Sequence, residues 1–165
     1  MNVPFSQSSE MLQALREYSA ILQRRAQALA DLRNTSDRML SILQQDPMAD
    51  ITELLQHREQ ECIKLGELCK GGVTGERQLL ETAKLVETSE GELALVAREV
   101  LSVQELCEKL SQEVMACQQE CELILRTGLE TIERAIRESK QRRKLDSVYG
   151  PACKHSTPIF LDRQQ

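Results

Sequence analysis

Six cysteines and two histidines are the residues of this 165-residue chain best suited to metal or nucleophilic chemistry. Cys117 and Cys121 stand four apart, which puts both thiols on one helix face at a spacing that suits two metal ligands. No paired His or Cys motif completes such a site. Cys107 and Cys117 carry the spacing of a disulfide-linked helical hairpin, but that arrangement needs a matching pair on the facing helix, and Cys62 and Cys69 are spaced differently. Together with Cys153, these thiols read as free, mostly buried small hydrophobes. His57 lies in the charged run HREQE, a solvated face, and neither it nor His155 has a visible nucleophile partner. The carboxylates read as surface groups paired with cations four residues on, as Glu105 with Lys109. The turn Lys70-Gly71-Gly72-Val73-Thr74-Gly75 resembles a phosphate loop only superficially, since no Gly-Lys-Ser/Thr and no preceding strand accompany it. No convergent set emerges, and the expectation is a non-enzyme without metal or cofactor.

The elements that position these residues are helices. Hydrophobic residues make up 41% of the chain but aromatics only 2%, so the apolar payload is aliphatic and Leu-rich, as in long helices with exposed polar faces. A formal net charge of −5 argues against nucleic acid as a partner. The one basic run, Lys140-Gln-Arg-Arg-Lys144, is expected to close a helix and offset its exposed carbonyls. No stretch approaches the ~20 apolar residues of a membrane span, and the amino terminus lacks a basic region and an apolar core, so a cytoplasmic location is expected.

Proline occurs only at positions 4, 47, 151 and 158, which leaves glycine to punctuate the interior. A first helix is predicted from Ser8 or Ser9 to Gln45, with a heptad seam at Leu12, Leu15, Ser19, Leu22, Ala26, Leu29, Arg33, Ser36, Leu40 and Leu43. Met11, Tyr18, Leu32 and Met39 widen that stripe beyond what a two-stranded coiled coil needs, which favours a bundle. Asp46-Pro47 ends the helix, and Asp50 with Glu53 forms a capping-box-like start for a short second helix ending at the glycines. From Glu76 to about Leu145 the helical signal is nearly unbroken, with a kink or a division into two helices expected at Ser89-Glu90-Gly91-Glu92. Its seam runs through Leu93, Ala97, Val100, Gln104, Cys107, Ser111, Val114, Gln118, Cys121, Leu125, Gly128, Ile132 and Ala135, and is interrupted at Gln104, Ser111, Gln118 and Gly128. A second stripe, Ala94, Leu101, Leu110, Cys117 and Ile124, adjoins it. The expected fold is all-α, an antiparallel coiled-coil-like helical bundle over 1–145 with a flexible C-terminal tail over 146–165. That tail, DSVYGPACKHSTPIFLDRQQ, holds half of the aromatics of the protein.

This succession of long helix, short returning helix, Gly-rich turn, very long helix and aromatic tail resembles the bacterial flagellar export chaperones of the FlgN and FliT type. The segment ITELLQHREQECIKLGEL is similar to the Leu-Leu-x-x-Arg second helix of that family, and the ending resembles tails with a Tyr, a spacer and Phe-Leu-Asp-Arg. The resemblance implies a type III secretion chaperone that holds amphipathic terminal helices of hook-associated or filament-cap proteins, keeps them unassembled and delivers them for export. It also implies that the tyrosine region of the tail, here Tyr149, contacts the export gate.

By spacing, the bound helix would pack on a surface from about Leu101 to Ile136, with Leu110, Val114, Ile124, Leu125, Ile132 and Ile136 as apolar anchors. Phe160 and Leu161 of the tail supply a second contact. The expected state is a monomer or loose dimer. The rival reading is a structural coiled-coil adaptor or scaffold that joins through its seams and has no client.

Overall fold

A computed structural model describes residues 5–70 and 75–149. It contains four helices among them: α1 (Phe5–Gln45), α2 (Thr52–Lys70), α3 (Glu76–Val86) and α4 (Glu92–Tyr149). The chain is an all-α helical bundle, and it divides into two compact units, residues 1–125 and 126–165.

Within the first unit the direction of each helix follows from the reversals between them. Thr35 of α1 meets Glu61 of α2, while Arg25 meets the later Leu68 and Glu76, so α2 and α3 run antiparallel to α1. A further reversal at Gly91, φ 105°, turns α4 back parallel to α1. Accordingly Gln23 reaches Glu99, and Asp37 reaches Cys117. At any level the bundle is three helices thick, with α2 and α3 succeeding one another along α1.

Three apolar clusters fill it. Leu15, Tyr18 and Leu22 pack with Ala83 of α3 and Ala97 and Val100 of α4. Ala26 and Leu29 pack with Cys107 and Leu110. Met39 and Leu43 pack with Ile51 and Cys121 at the end formed by the α1–α2 turn. The small residues Ala83, Ala94 and Ala97, all 0% exposed, let α3 and α4 approach α1 closely at one end.

One expectation for the α1 seam needs correction. Arg33 is not a core position: it lies out at the edge, 2.9 Å from Glu113 of α4, while the neighbouring Leu32 is 3% exposed. Ser36 is buried but donates to the Leu32 carbonyl at 2.8 Å, so its hydroxyl is satisfied inside its own helix. The buried stripe is therefore centred slightly away from strict heptad positions, as a helix touching two neighbours requires.

The expected division at Ser89–Glu92 is realised as two helices. Ser89 donates both its N–H and its hydroxyl to the Val86 carbonyl, which closes α3, and Gly91 supplies the left-handed residue. Asp50 Oδ1 accepts from the Thr52 N–H at 3.0 Å, and hydrogen bonding to Thr52, first through its side chain and then through this N–H, lowers the pKa of the carboxyl. Helix α4 runs through Leu145 to Tyr149, four residues beyond the expected boundary, and its last turn carries no basic residue. The run 140–144 therefore lies inside the helix and is not its closing cation set.

Candidate partner-binding surface

Several polar side chains of the first unit join helices. The Arg25 guanidinium spans the break between α2 and α3. It donates to both oxygens of Glu76, at 2.7 and 3.0 Å, and to the Leu68 carbonyl at 3.2 Å. Hydrogen bonding to Arg25 holds the Glu76 carboxyl below its ordinary range. One cation thus satisfies an orphan carbonyl near the end of α2 and an acid in the first turn of α3, where the helix dipole already favours negative charge.

A second polar group sits between α1 and α2. Glu61 is 8% exposed, and its Oε1 accepts from the Thr35 hydroxyl at 3.1 Å and lies 3.2 Å from His57 Nε2. The run HREQE is therefore not simply a solvated face. Asp31, Arg38 and Lys64 share the adjoining cleft of about 370 Å³, which carries both signs of charge.

Among the described cysteines all five are free: Cys62 and Cys69 are exposed, Cys107 and Cys121 are buried, and Cys117 lies between. Burial and a hydrogen bond to Asp37 at 3.1 Å push the Cys117 thiol up to about 11. Cys107 is raised chiefly by burial and lies 3.6 Å from the Leu22 carbonyl. These are inert thiols acting as packing groups. No group of three His, Cys, Asp or Glu among the described residues is placed to hold a metal ion.

The polar interruptions of the α4 seam have a specific location. Gln104 and Ser111 line the same groove as Leu65 and Cys69 of α2. Gln118 accepts from Arg58 of α2 at 2.8 Å. Between these polar positions runs a cleaner line, Val100, Cys107, Val114 and Cys121, each at most 8% exposed. The seam is thus shared between two neighbours: Cys107 and Cys121 sit in clusters that hold residues of both α1 and α2, and the polar positions line grooves beside α2. A small cleft of about 160 Å³ remains where Met39, Leu55, Cys121 and Leu125 meet.

The expected anchor residues separate into three groups. Leu110 and Val114 are core, 8% and 7% exposed, and Leu101, Ile124 and Leu125 are half-buried against the end clusters. Ile132 and Ile136 are exposed, at 38% and 48%. Tyr149 ends α4, and Phe160 and Leu161 lie outside the described residues.

Leu129, 60% exposed, belongs with the second group and escaped the sequence reading, which followed the seam through Gly128. Four-residue spacing from Leu125 would have found it. In the second unit every residue from Arg126 to Val148 is exposed except the half-buried Gly128. Among the described residues, Leu129, Ile132 and Ile136 thus form an exposed apolar stripe on a helical stretch about 36 Å long. No helix among the described residues is long and apolar enough to cross a membrane. Compared with known proteins, the chain matches no family model, no curated protein and no solved structure.

Proposed function

We propose that this protein is a flagellar (type III) export chaperone, which binds amphipathic terminal helices of hook-associated or filament-cap proteins and keeps them from assembling before export. The observation that carries a partner-binding role is the uncovered stripe Leu129, Ile132 and Ile136 on the second unit of α4. Apolar side chains at helical spacing on an otherwise charged helix are the half of a helix–helix contact that a partner completes. A groove built for a small substrate would instead be concave and enclosed. The choice of flagellar clients rests on the resemblance of the second helix and the tail. Within it, Tyr149 and the export gate form a second contact, and the working compartment is the cytoplasm.

A pull-down with the terminal helices of late flagellar proteins tests this reading. Retention of one of them, lost on replacing Ile132 and Ile136 by Asp while helicity persists, is the expected result. If none is retained, the client assignment fails and the structural adaptor takes its place. Ile124 and Leu125 are poorer probes than Ile132 and Ile136, because they pack against Met39, Leu43 and Ile51 and their replacement would disturb the bundle.

A further inference from the structure

From the register of α2 against α4 in the first unit, we infer that Cys69 and Cys107 are a redox site, which closes to a reversible disulfide under oxidants of the peroxide class. Four pairs of residues set that register. Ile51, just before α2, packs in one cluster with Leu125. Leu55 and Cys121 line one cleft, Arg58 donates to Gln118 at 2.8 Å, and Leu65 shares a groove with Ser111. Each pair follows from the one before by stepping forward on α2 and backward on α4 by the same four, three or seven residues. The next step of four sets Cys69 opposite Cys107, and both line that same groove.

Steps of three and four return to one face of a helix, so the five pairs lie along a single antiparallel line. Helix axes about 8–10 Å apart bring directly facing Cα atoms to roughly 4–6 Å, within what a disulfide spans. Burial is the main cause of the raised pKa of the Cys107 thiol, and a charge on Cys69 adds to it, as thiols sharing one groove should show. The line joins no other cysteines among the described residues. By the same count Cys62 falls opposite Val114 and Cys121 opposite Leu55, while Cys117 hydrogen-bonds Asp37 of α1 at 3.1 Å, and α1 has no cysteine.

The two thiols differ in access, since Cys69 is exposed and Cys107 is only 8% exposed. Peroxide therefore meets Cys69 first. The Cys69 thiolate sulfur attacks one peroxide oxygen, the O–O bond breaks, and the departing hydroxide takes up a proton as water, leaving a sulfenic acid. The Cys107 sulfur then attacks the Cys69 sulfur, the S–O bond breaks, and the hydroxyl leaves with the Cys107 proton as a second water. Two thiols and one peroxide thus give one disulfide and two waters. Inert toward reagents in solution, Cys107 still reacts here because its partner is held in the same groove. Cys69 stands in the last turn of α2, which shifts toward α4 at less cost than a helix middle. The bond would fasten α2 to α4 around residues 70–106, which include all of α3.

Treatment of the full chain with hydrogen peroxide, followed by peptide mapping without reduction, tests the inference. The expected product is a single chain lacking two hydrogens, with Cys69 and Cys107 in one linked peptide, restored by dithiothreitol. The oxidised chain should unfold about 5 °C or more above the reduced one, because the link restricts the unfolded chain. Cys69→Ser, at an exposed position outside the core, should abolish both the link and the shift. Cys107→Ala should instead leave Cys69 as a sulfenic acid that dimedone traps, with helicity of the reduced variant checking that it folds. A main product linking any other pair of cysteines overturns the inference. So does a Cys69–Cys107 link that forms only in denaturant, or Cys69 passing to the sulfinic acid in the parent with no internal link.

Discussion

Helix α4 contains two stretches of similar chemistry and opposite circumstance. Residues 92–125 and 126–149 both carry an apolar line along a charged helix. In the first stretch Val100, Cys107, Val114 and Cys121 are covered by α1, while in the second Leu129, Ile132 and Ile136 face outward. The difference lies in the partner. Helix α1 stops at Gln45 because Pro47 follows, and its last core residues, Met39 and Leu43, already pack against Cys121. Beyond that level the described residues of the helix are exposed, and support comes from propensity and pairs such as Arg137 with Glu133 at 3.1 Å. An apolar residue is thus structural or available according to whether a second helix happens to reach it.

The sharpest test of that contrast substitutes a leucine or isoleucine on each side. Leu22→Ala, at a side chain 1% exposed, should cost about 2–5 kcal/mol in denaturant unfolding. Ile136→Ala in the diluted chain should stay within about 0.5 kcal/mol. Equal costs would mean that the second unit is core after all. Amide exchange should follow the same division, with slow exchange at Val100 and Val114 and fast exchange at Ile136.

Next in size is the Arg25–Glu76 junction, which only the first unit possesses. Arg25→Met leaves Glu76 and the Leu68 carbonyl without their shared donor and should cost about 2–3 kcal/mol at neutral pH. The Glu76 carboxyl is held below its ordinary value of 4.5 by Arg25, so its contribution is present above that value and fades as pH falls through the lowered one. Thermal unfolding of Glu76→Gln should therefore differ from the parent at pH 7 and converge on it in acid. A gap that stays constant down to low pH would contradict the pairing.

A smaller effect is expected at the glycine that starts α3. Gly75 has φ 92°, and an added Cβ would lie 3.2 Å from Gln78 Oε1, a contact that side chain can relieve. Gly75→Ala should cost about 1 kcal/mol from backbone strain. Gly91→Ala, also at positive φ but with nothing nearby, isolates the backbone cost alone.

The least effect on stability and the clearest chemical readout come from the thiols. With its thiol pushed up to about 11, Cys117 should be alkylated far more slowly at pH 8 than exposed Cys62 and Cys69. Asp37→Asn, which removes the nearby negative charge, should speed its labelling. Comparable rates for all thiols in the folded chain would refute the burial that separates them.

Much of the fold was legible because its signals are local. Pro47 and Gly91 end or divide helices through their own backbone limits, and Leu15, Leu22, Leu29 and Leu43 declare a buried face by spacing alone. Arg33 was misplaced in the core because heptad counting assumes a single partner, and α1 has several. Gln104, Ser111 and Gln118 looked like faults in a seam for the same reason, although Gln118 bonds Arg58 of α2 and the other two line a groove shared with α1 and α2. The basic run at 140–144 read as a helix end because charge patterns do not reveal whether the following turn continues.

By itself, the sequence determined that this protein is helical, roughly where each helix begins and stops, and which faces are apolar. Those properties arise from torsional preference and side-chain periodicity within a few residues. Only the tertiary structure decided which apolar positions are core and which remain uncovered. That outcome depends on the relative lengths and directions of α1 and α4, so Val114 and Ile136 became different kinds of residue despite the same chemistry.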